Sequence, residues 1–173
     1  MRLGMAGAVI CTLAGTAVGG MLRERKYARL RLLEGEAEIL ARMRLMLMEE
    51  RLSMPRLLEE CARAAPDNLF AKRLMRVGQL LEKQPLLSLE NAYGEACRLY
   101  PLTAEKKEDR FVMHHFFWQL GRGTAAMREQ AAASALRKVK PALESAEEAA
   151  KTGGKLSMQL GLLLGLVVGI ALW

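Results

Sequence analysis

Little in this sequence can perform covalent chemistry. It holds three cysteines and two histidines in 173 residues, too few for a disulfide framework or a histidine- and cysteine-based metal cluster. Cys11 lies inside an apolar run, while Cys61 and Cys97 stand singly on apolar helical faces, where an intracellular cysteine is usually a small core residue. His114 and His115 are adjacent, so on a helix they point about 100° apart and cannot share a metal as an i, i+4 pair would. A phosphate-binding loop is also missing. Gly153, Gly154 and Lys155 match only the tail of one, without the upstream glycine or the Ser or Thr that would reach magnesium. Neighbouring carboxylates such as Glu59 with Glu60 and Glu147 with Glu148 fit a solvated helical face better than acid-base work. No catalytic, cofactor-binding or metal-binding residue is therefore assigned, and the expected class is a non-enzyme.

Charge is absent from one long stretch near each end. Residues 156–173 (LSMQLGLLLGLVVGIALW) carry none and, at about 1.5 Å per residue, span about 27 Å as a helix, close to a bilayer's hydrocarbon core. Only Ser157 and Gln159 interrupt the apolar surface, which predicts a C-terminal transmembrane helix with Trp173 as an interfacial anchor. Gly161, Gly165 and Gly169 recur every fourth residue and form one side-chain-free face suited to close helix packing. Residues 3–22 are again uncharged, with Gly7, Cys11, Gly15 and Gly19 repeating the small-residue spacing. A cleaved signal peptide is the rival reading of this stretch. The dense basic flank that follows, Arg23, Arg25, Lys26, Arg29 and Arg31, favours an uncleaved span whose exit stays on the cytoplasmic side.

Lys151 and Lys155 orient the second span the same way, so the expected protein is a membrane hairpin with residues 23–155 in the cytoplasm. The formal net charge of +7 is concentrated beside the first membrane exit. Arg23, Arg25, Lys26 and Arg29 thus read as a topology signal and a contact for anionic lipid headgroups. The remaining basic residues are interleaved with Glu, and no aromatic-rich basic strip is evident, so nucleic acid is not an expected partner.

About 130 residues remain between the spans, enough for one compact domain. Nothing in them alternates with strand period over several residues, and glycine is scarce from Arg23 to Gln119. The chain predicts an all-α fold, roughly a six-helix antiparallel bundle flanked by the two transmembrane helices. Leu30, Leu33, Ala37, Leu40, Met43 and Leu47 make one apolar stripe on a first helix that continues the first span. Ser53 caps a second helix with Pro55 in its first turn and Leu57, Leu58, Cys61 and Ala62 inside. Pro66 and Asp67 restart a third, carrying Phe70, Leu74, Val77 and Leu81. Ser88 caps a fourth, with Leu89, Ala92, Tyr93, Ala96 and Leu99 inward until Pro101. Thr103 is expected to open a fifth, the central helix, with Phe111, Val112, Met113, Phe116, Phe117, Trp118 and Leu120. Thr124 caps a sixth, whose Ala132, Leu136, Val139, Leu143, Ala146 and Ala150 form a heptad-like, coiled-coil seam. Pro141 should kink or split that helix, and Thr152, Gly153 and Gly154 should form a flexible joint before the second span.

Several stretches in this order carry a family resemblance. They are the LRLLEGEAEI run at residues 30–39 after a basic membrane exit, the SMPRLL restart at residues 53–58, the stretch 117–121 ending in Leu-Gly, Gln130 beyond it, and residues 155–163 leading into the last span. Together with the length and the two terminal anchors, the chain resembles the stage III sporulation protein AB family of spore-forming bacteria. The soluble region of that family is similar to the cytoplasmic domain of the inner-membrane platform protein in type II secretion and type IV pilus machines. Pro141 and the alanine-rich run at residues 131–135 depart from the pattern.

The resemblance implies a platform in the mother-cell membrane facing the forespore, within a secretion-like channel needed for forespore development after engulfment. Implied partners are a secretion-type ATPase on the cytoplasmic side and other sporulation channel proteins, with membrane lipids around the spans and no chemistry of its own. For partner contact, the expected residues are Glu34, Glu36, Glu38, Glu59 and Glu60 on the first two cytoplasmic helices, because ionic rims govern specificity in transient interfaces. Two other readings stand beside this one. One is a generic membrane-tethered helical scaffold that forms homo-oligomers through its glycine faces and the 132–150 seam. The other is a membrane-bound enzyme assembled from scattered Glu, Arg and Tyr, to which no spacing points.

Overall fold

A computed structural model describes the backbone of residues 2–48 and 52–171, with side chains described for residues 17, 20–48, 52–152 and 163. Every regular element among the described residues is helical, in the order α1 (Arg2–Met48), α2 (Met54–Ala62), α3 (Leu69–Lys83), α4 (Leu89–Leu99), α5 (Lys107–Arg122) and α6 (Ala125–Ala171). The chain divides into two compact units, Arg31–Leu143 on the one hand and Met1–Leu30 with Glu144–Trp173 on the other. Among the described residues no helix is long and apolar enough to cross a membrane. The expected spans, residues 3–22 and 156–173, lie almost entirely outside the residues whose side chains are described.

In the unit Arg31–Leu143, the stripe on α1 is buried through Leu33, Leu40, Met43 and Leu47, joined by Leu32 and Ile39. Alternating steps of three and four produce this face because the helix turns once per ~3.6 residues. Consecutive helices α2 to α5 pack pairwise in chain order, as short connections favour. Local sequence explains the starts. Ser53 takes the N-cap position of α2 with extended angles, but its hydroxyl makes no capping hydrogen bond, and Pro55 sits in the first turn, where its missing N–H is not needed. Ser88 Oγ accepts from the Asn91 N–H at 3.3 Å to cap α4. Thr124 Oγ1 accepts from the Met127 N–H at 3.5 Å at the head of α6.

The third helix begins just after the expected restart at Pro66 and Asp67, with Asn68 as its cap. Its Oδ1 accepts from the Phe70 N–H at 2.8 Å. Its Nδ2 donates to the Arg31 carbonyl at 2.8 Å and to the Leu32 carbonyl at 3.4 Å. One side chain therefore starts α3 and fastens it to α1.

Several expectations fail for identifiable reasons. Helix α5 starts at Lys107 rather than Thr103, because the preceding residues form a turn in which the Glu105 N–H bonds the Leu102 carbonyl at 3.2 Å. Asp109 Oδ2 then accepts from the Lys106 N–H at 3.2 Å and opens the helix. Leu99 is 56% exposed because α4 ends at it, and Leu102 is the buried leucine of that connection. Thr152, Gly153 and Gly154 form no joint, since α6 runs through them, nor does Pro141 split it. Helix interiors tolerate glycine at about 1 kcal/mol each.

In the terminal unit, Ala146 and Ala150 are buried, one helical turn apart, as the seam predicted. Lys151 Nζ and Glu147 Oε1 pair on the exposed side at 2.6 Å.

Candidate functional site

Of the basic residues at the expected membrane exit, Arg23 and Arg25 are exposed and Lys26 and Arg29 are half-buried. The Arg23 guanidinium stands 5.5 Å from the centre of the Tyr27 ring, a cation–π contact across one helical turn. Gly15, Gly19, Gly161, Gly165 and Gly169 lie outside the residues whose surroundings are described.

The five carboxylates expected at a partner surface divide. Glu34 and Glu38 are exposed, one turn apart on α1, and Glu59 and Glu60 are half-buried on α2, with Glu60 Oε1 accepting from Arg63 Nη1 at 2.6 Å. Glu36 is 0% exposed and cannot meet a partner. Two residues along a helix is a rotation of about 200°, which turns Glu36 inward with the Leu33 and Leu40 side while Glu34 and Glu38 face out.

Buried polarity gathers where α3, α4 and the turn before α5 meet. Arg73, 1% exposed, places its guanidinium on the Glu105 carboxylate in a forked pair, Nη1 to Oε1 at 3.0 Å and Nη2 to Oε2 at 3.2 Å. Its Nε donates to the Tyr100 carbonyl at 2.9 Å. Arg110 Nε donates to Glu105 Oε2 at 3.1 Å from the solvent side. Burial works against the Arg73 cation, yet the hydrogen bond and charge of Glu105 outweigh it and its pKa stands above the ordinary value. Beside this group, burial pushes the Tyr93 phenol well up, and the Cys97 thiol adds to the effect. Cys97 is raised by burial too, against the pull of Arg73. Such a cluster fixes geometry: two guanidinium groups hold the Glu105 carboxylate in place, and burial favours the protonated forms of the phenol and the thiol.

Sequence reading missed Arg73 because an arginine directly after Lys72 on a helix looks like surface charge. The available signal was its position three residues after Phe70 and four before Val77, on the buried face.

The aromatic helix α5 is two-sided. Met113, Phe116, Phe117 and Leu120 are buried, and the Phe117 ring stacks on Tyr93 with centroids 4.0 Å apart. Phe111 and Trp118, expected in the core, are 72% and 37% exposed. With His115 and Arg122 they form an outward ridge at steps of four, three and four. Phe111 and His115 are parallel with centroids 6.4 Å apart, His115 and Trp118 likewise at 5.7 Å, and the Arg122 guanidinium caps the Trp118 face at 4.9 Å.

Two clefts adjoin the ridge. One, of 340 Å³, lies between Trp118, Arg122 and the first three turns of α6. The other, of 380 Å³, lies between Trp118, Pro55, Leu87 and Glu90. Among the described residues no group of three or more His, Cys, Asp or Glu side chains is placed to hold a metal ion.

The family model described as Stage III sporulation protein AB matches residues 4–173 of the chain. No curated protein and no solved structure matches it.

Proposed function

Because the chain belongs to the stage III sporulation protein AB family and so has a sporulation-related role, we propose that it is a non-enzymatic membrane platform. In this reading it belongs to a secretion-like channel between mother cell and forespore and is needed for forespore development after engulfment. Residues 3–22 and 156–173 anchor it in the mother-cell membrane as a hairpin, and the helical domain between them, at residues 23–155, stands in the cytoplasm. In this reading that domain plays the part that platform proteins play in type II secretion and type IV pilus machines. It couples a cytoplasmic secretion-type ATPase to the membrane parts of the channel.

The observation that carries this reading is the family match across residues 4–173. Physical features support its parts. Uncharged ends flanked by Arg23, Arg25, Lys26 and Arg29 suit retention of that flank on the cytoplasmic side beside anionic lipid. The solvent-facing pair Glu34 and Glu38 offers an ionic rim to the ATPase. The buried Arg73 and Glu105 pair supports a rigid transmitting body more than a reactive centre.

The test is cross-linking in native membranes from cells entering sporulation, then purification on an internal tag and identification of what is attached. Recovery of a secretion-type ATPase with channel components supports the platform. Recovery of the chain alone, from cells that express those components, favours the self-associating scaffold. Charge reversal at Glu34 and Glu38 is expected to weaken ATPase recovery while leaving the fold intact.

A further inference from the structure

The ridge on α5 and the cleft beside it are not used by the platform reading, which places the ATPase on α1 and α2. We propose that Phe111, His115, Trp118 and Arg122, with the cleft that runs along α6, are the docking surface for an amphipathic helix of a partner protein. That helix would carry acidic residues on either side of its apolar stripe.

The shape of the cleft argues for a helix. Its α6 wall is formed by Met127, Gln130, Ala131, Ser134 and Arg137, which recur at steps of three, one, three and three along one face. The rise from Met127 to Arg137, eleven residues of helix, gives a trough about 15 Å long, nearly three turns, so a helix laid alongside can seat apolar side chains at i, i+3 or i+4, and i+7. Trp118 and Met127 form apolar ledges, and Met127 is 60% exposed.

Charge argues for the acidic partner. Arg122 and Arg137 line the cleft and no carboxylate does. Neither arginine lies within ion-pair distance of a carboxylate among the described residues. Tryptophan and arginine are both enriched among the residues that dominate binding energy at protein interfaces, and here they stand together, the Arg122 guanidinium over the Trp118 ring. A nucleic acid fits less well. The rings stack on one another along the ridge and Arg122 covers one end of the row, so the row offers no series of open ring faces for successive bases.

The test uses the full chain in lipid nanodiscs and three fluorescent probes read by anisotropy. Two are helical peptides of about 18 residues, or five turns, with identical leucine stripes flanked by Glu in one and Lys in the other. The third is a thymidine oligonucleotide of about 20 nucleotides, long enough for any stacking site. The Glu-flanked peptide is expected to bind at least about tenfold more tightly than the Lys-flanked one, with the difference shrinking in high salt. Trp118→Ala should weaken it by about tenfold or more. Arg122→Glu should reverse the preference between the two peptides while the melting temperature stays unchanged. Equal affinity for both peptides, binding of neither, or preference for the oligonucleotide overturns the proposal. So does a Trp118→Ala variant that sediments as a smaller oligomer than the parent, since the ridge would then be occupied by a second copy of this chain.

Discussion

The carboxamide of Asn68 occupies the space that a β-carbon on Gly35 would need. Glycine at position 35 lets this side chain reach the α1 backbone, where it donates to the Arg31 carbonyl at 2.8 Å while capping α3 through its oxygen. Gly35→Ala should therefore displace the amide and cost about 1–3 kcal/mol, and Asn68→Ala about 1 kcal/mol or somewhat more. The double variant should lose less than the sum, because once Asn68 is gone the alanine meets no obstacle. Urea unfolding of the full chain in mild detergent, followed by circular dichroism, measures all three. Strictly additive losses would mean the two positions act independently.

The pair Arg73 and Glu105 holds the turn before α5 against α3. Glu105→Leu should destabilise the domain by about 3–5 kcal/mol, because it leaves the Arg73 charge unmatched in the interior, and Arg73→Met by less, because Arg110 still pairs with Glu105 from the solvent side. Combining them should recover a substantial part of that loss, since the buried charge is removed altogether. A double variant as unstable as the worse single one would show that hydrogen bonding to the Tyr100 carbonyl, and not charge balance, is the main contribution. The unfolding midpoint in urea reads this directly.

Much of this arrangement was legible in the sequence. Ser53, Ser88 and Thr124 announce helix starts because a short hydroxyl side chain before an apolar period has few other uses. Leu57, Leu58, Cys61 and Ala62 were readable as a buried face from spacing alone. Periodicity did not distinguish the two faces of α5, because Phe111 and Trp118 are as hydrophobic as Phe116 and Phe117 and only their rotation about the axis differs. It also misplaced Glu36, since a Glu-rich helix invites the view that all its carboxylates face water. Arg73 with Glu105, and Asn68 with Gly35, depend on contacts more than thirty residues apart in the chain, which no local pattern encodes. Cap chemistry favours Asn68 over Asp67 only once the α1 carbonyls are in place.

The two faces of α5 should separate cleanly under substitution. Phe117→Ala removes a buried ring stacked on Tyr93 and should cost about 3–5 kcal/mol. Phe111→Ser removes a ring that is mostly in water and should change stability by less than about 0.5 kcal/mol. Thermal unfolding of the two variants beside the parent decides it. A large loss at Phe111 would mean that the ridge is part of the fold and is not free for a partner.

Cys61 provides a probe of the intact interior. Its side chain is fully buried on α2, and its thiol donates to the Met46 thioether at 3.7 Å. Burial pushes its pKa from 9.0 up to about 12, with Arg42 pulling the other way and Glu60 adding to the rise. The raised value means that the folded state favours the neutral thiol. That contribution to stability is complete below the ordinary value near 9 and is lost as the pH rises toward 12. At pH 8 the folded chain should carry roughly a thousandth of the Cys61 thiolate that the unfolded chain carries. Since only the thiolate attacks iodoacetamide, site-resolved mass spectrometry should find Cys61 essentially unlabelled in the folded protein and rapidly labelled in urea. Cys97, half-buried and raised by the same cause, should fall between. Native labelling of Cys61 within about tenfold of the denatured rate would require α2 to open from α1 on the reaction timescale, at a low local free energy, and would argue against a rigid domain able to transmit force.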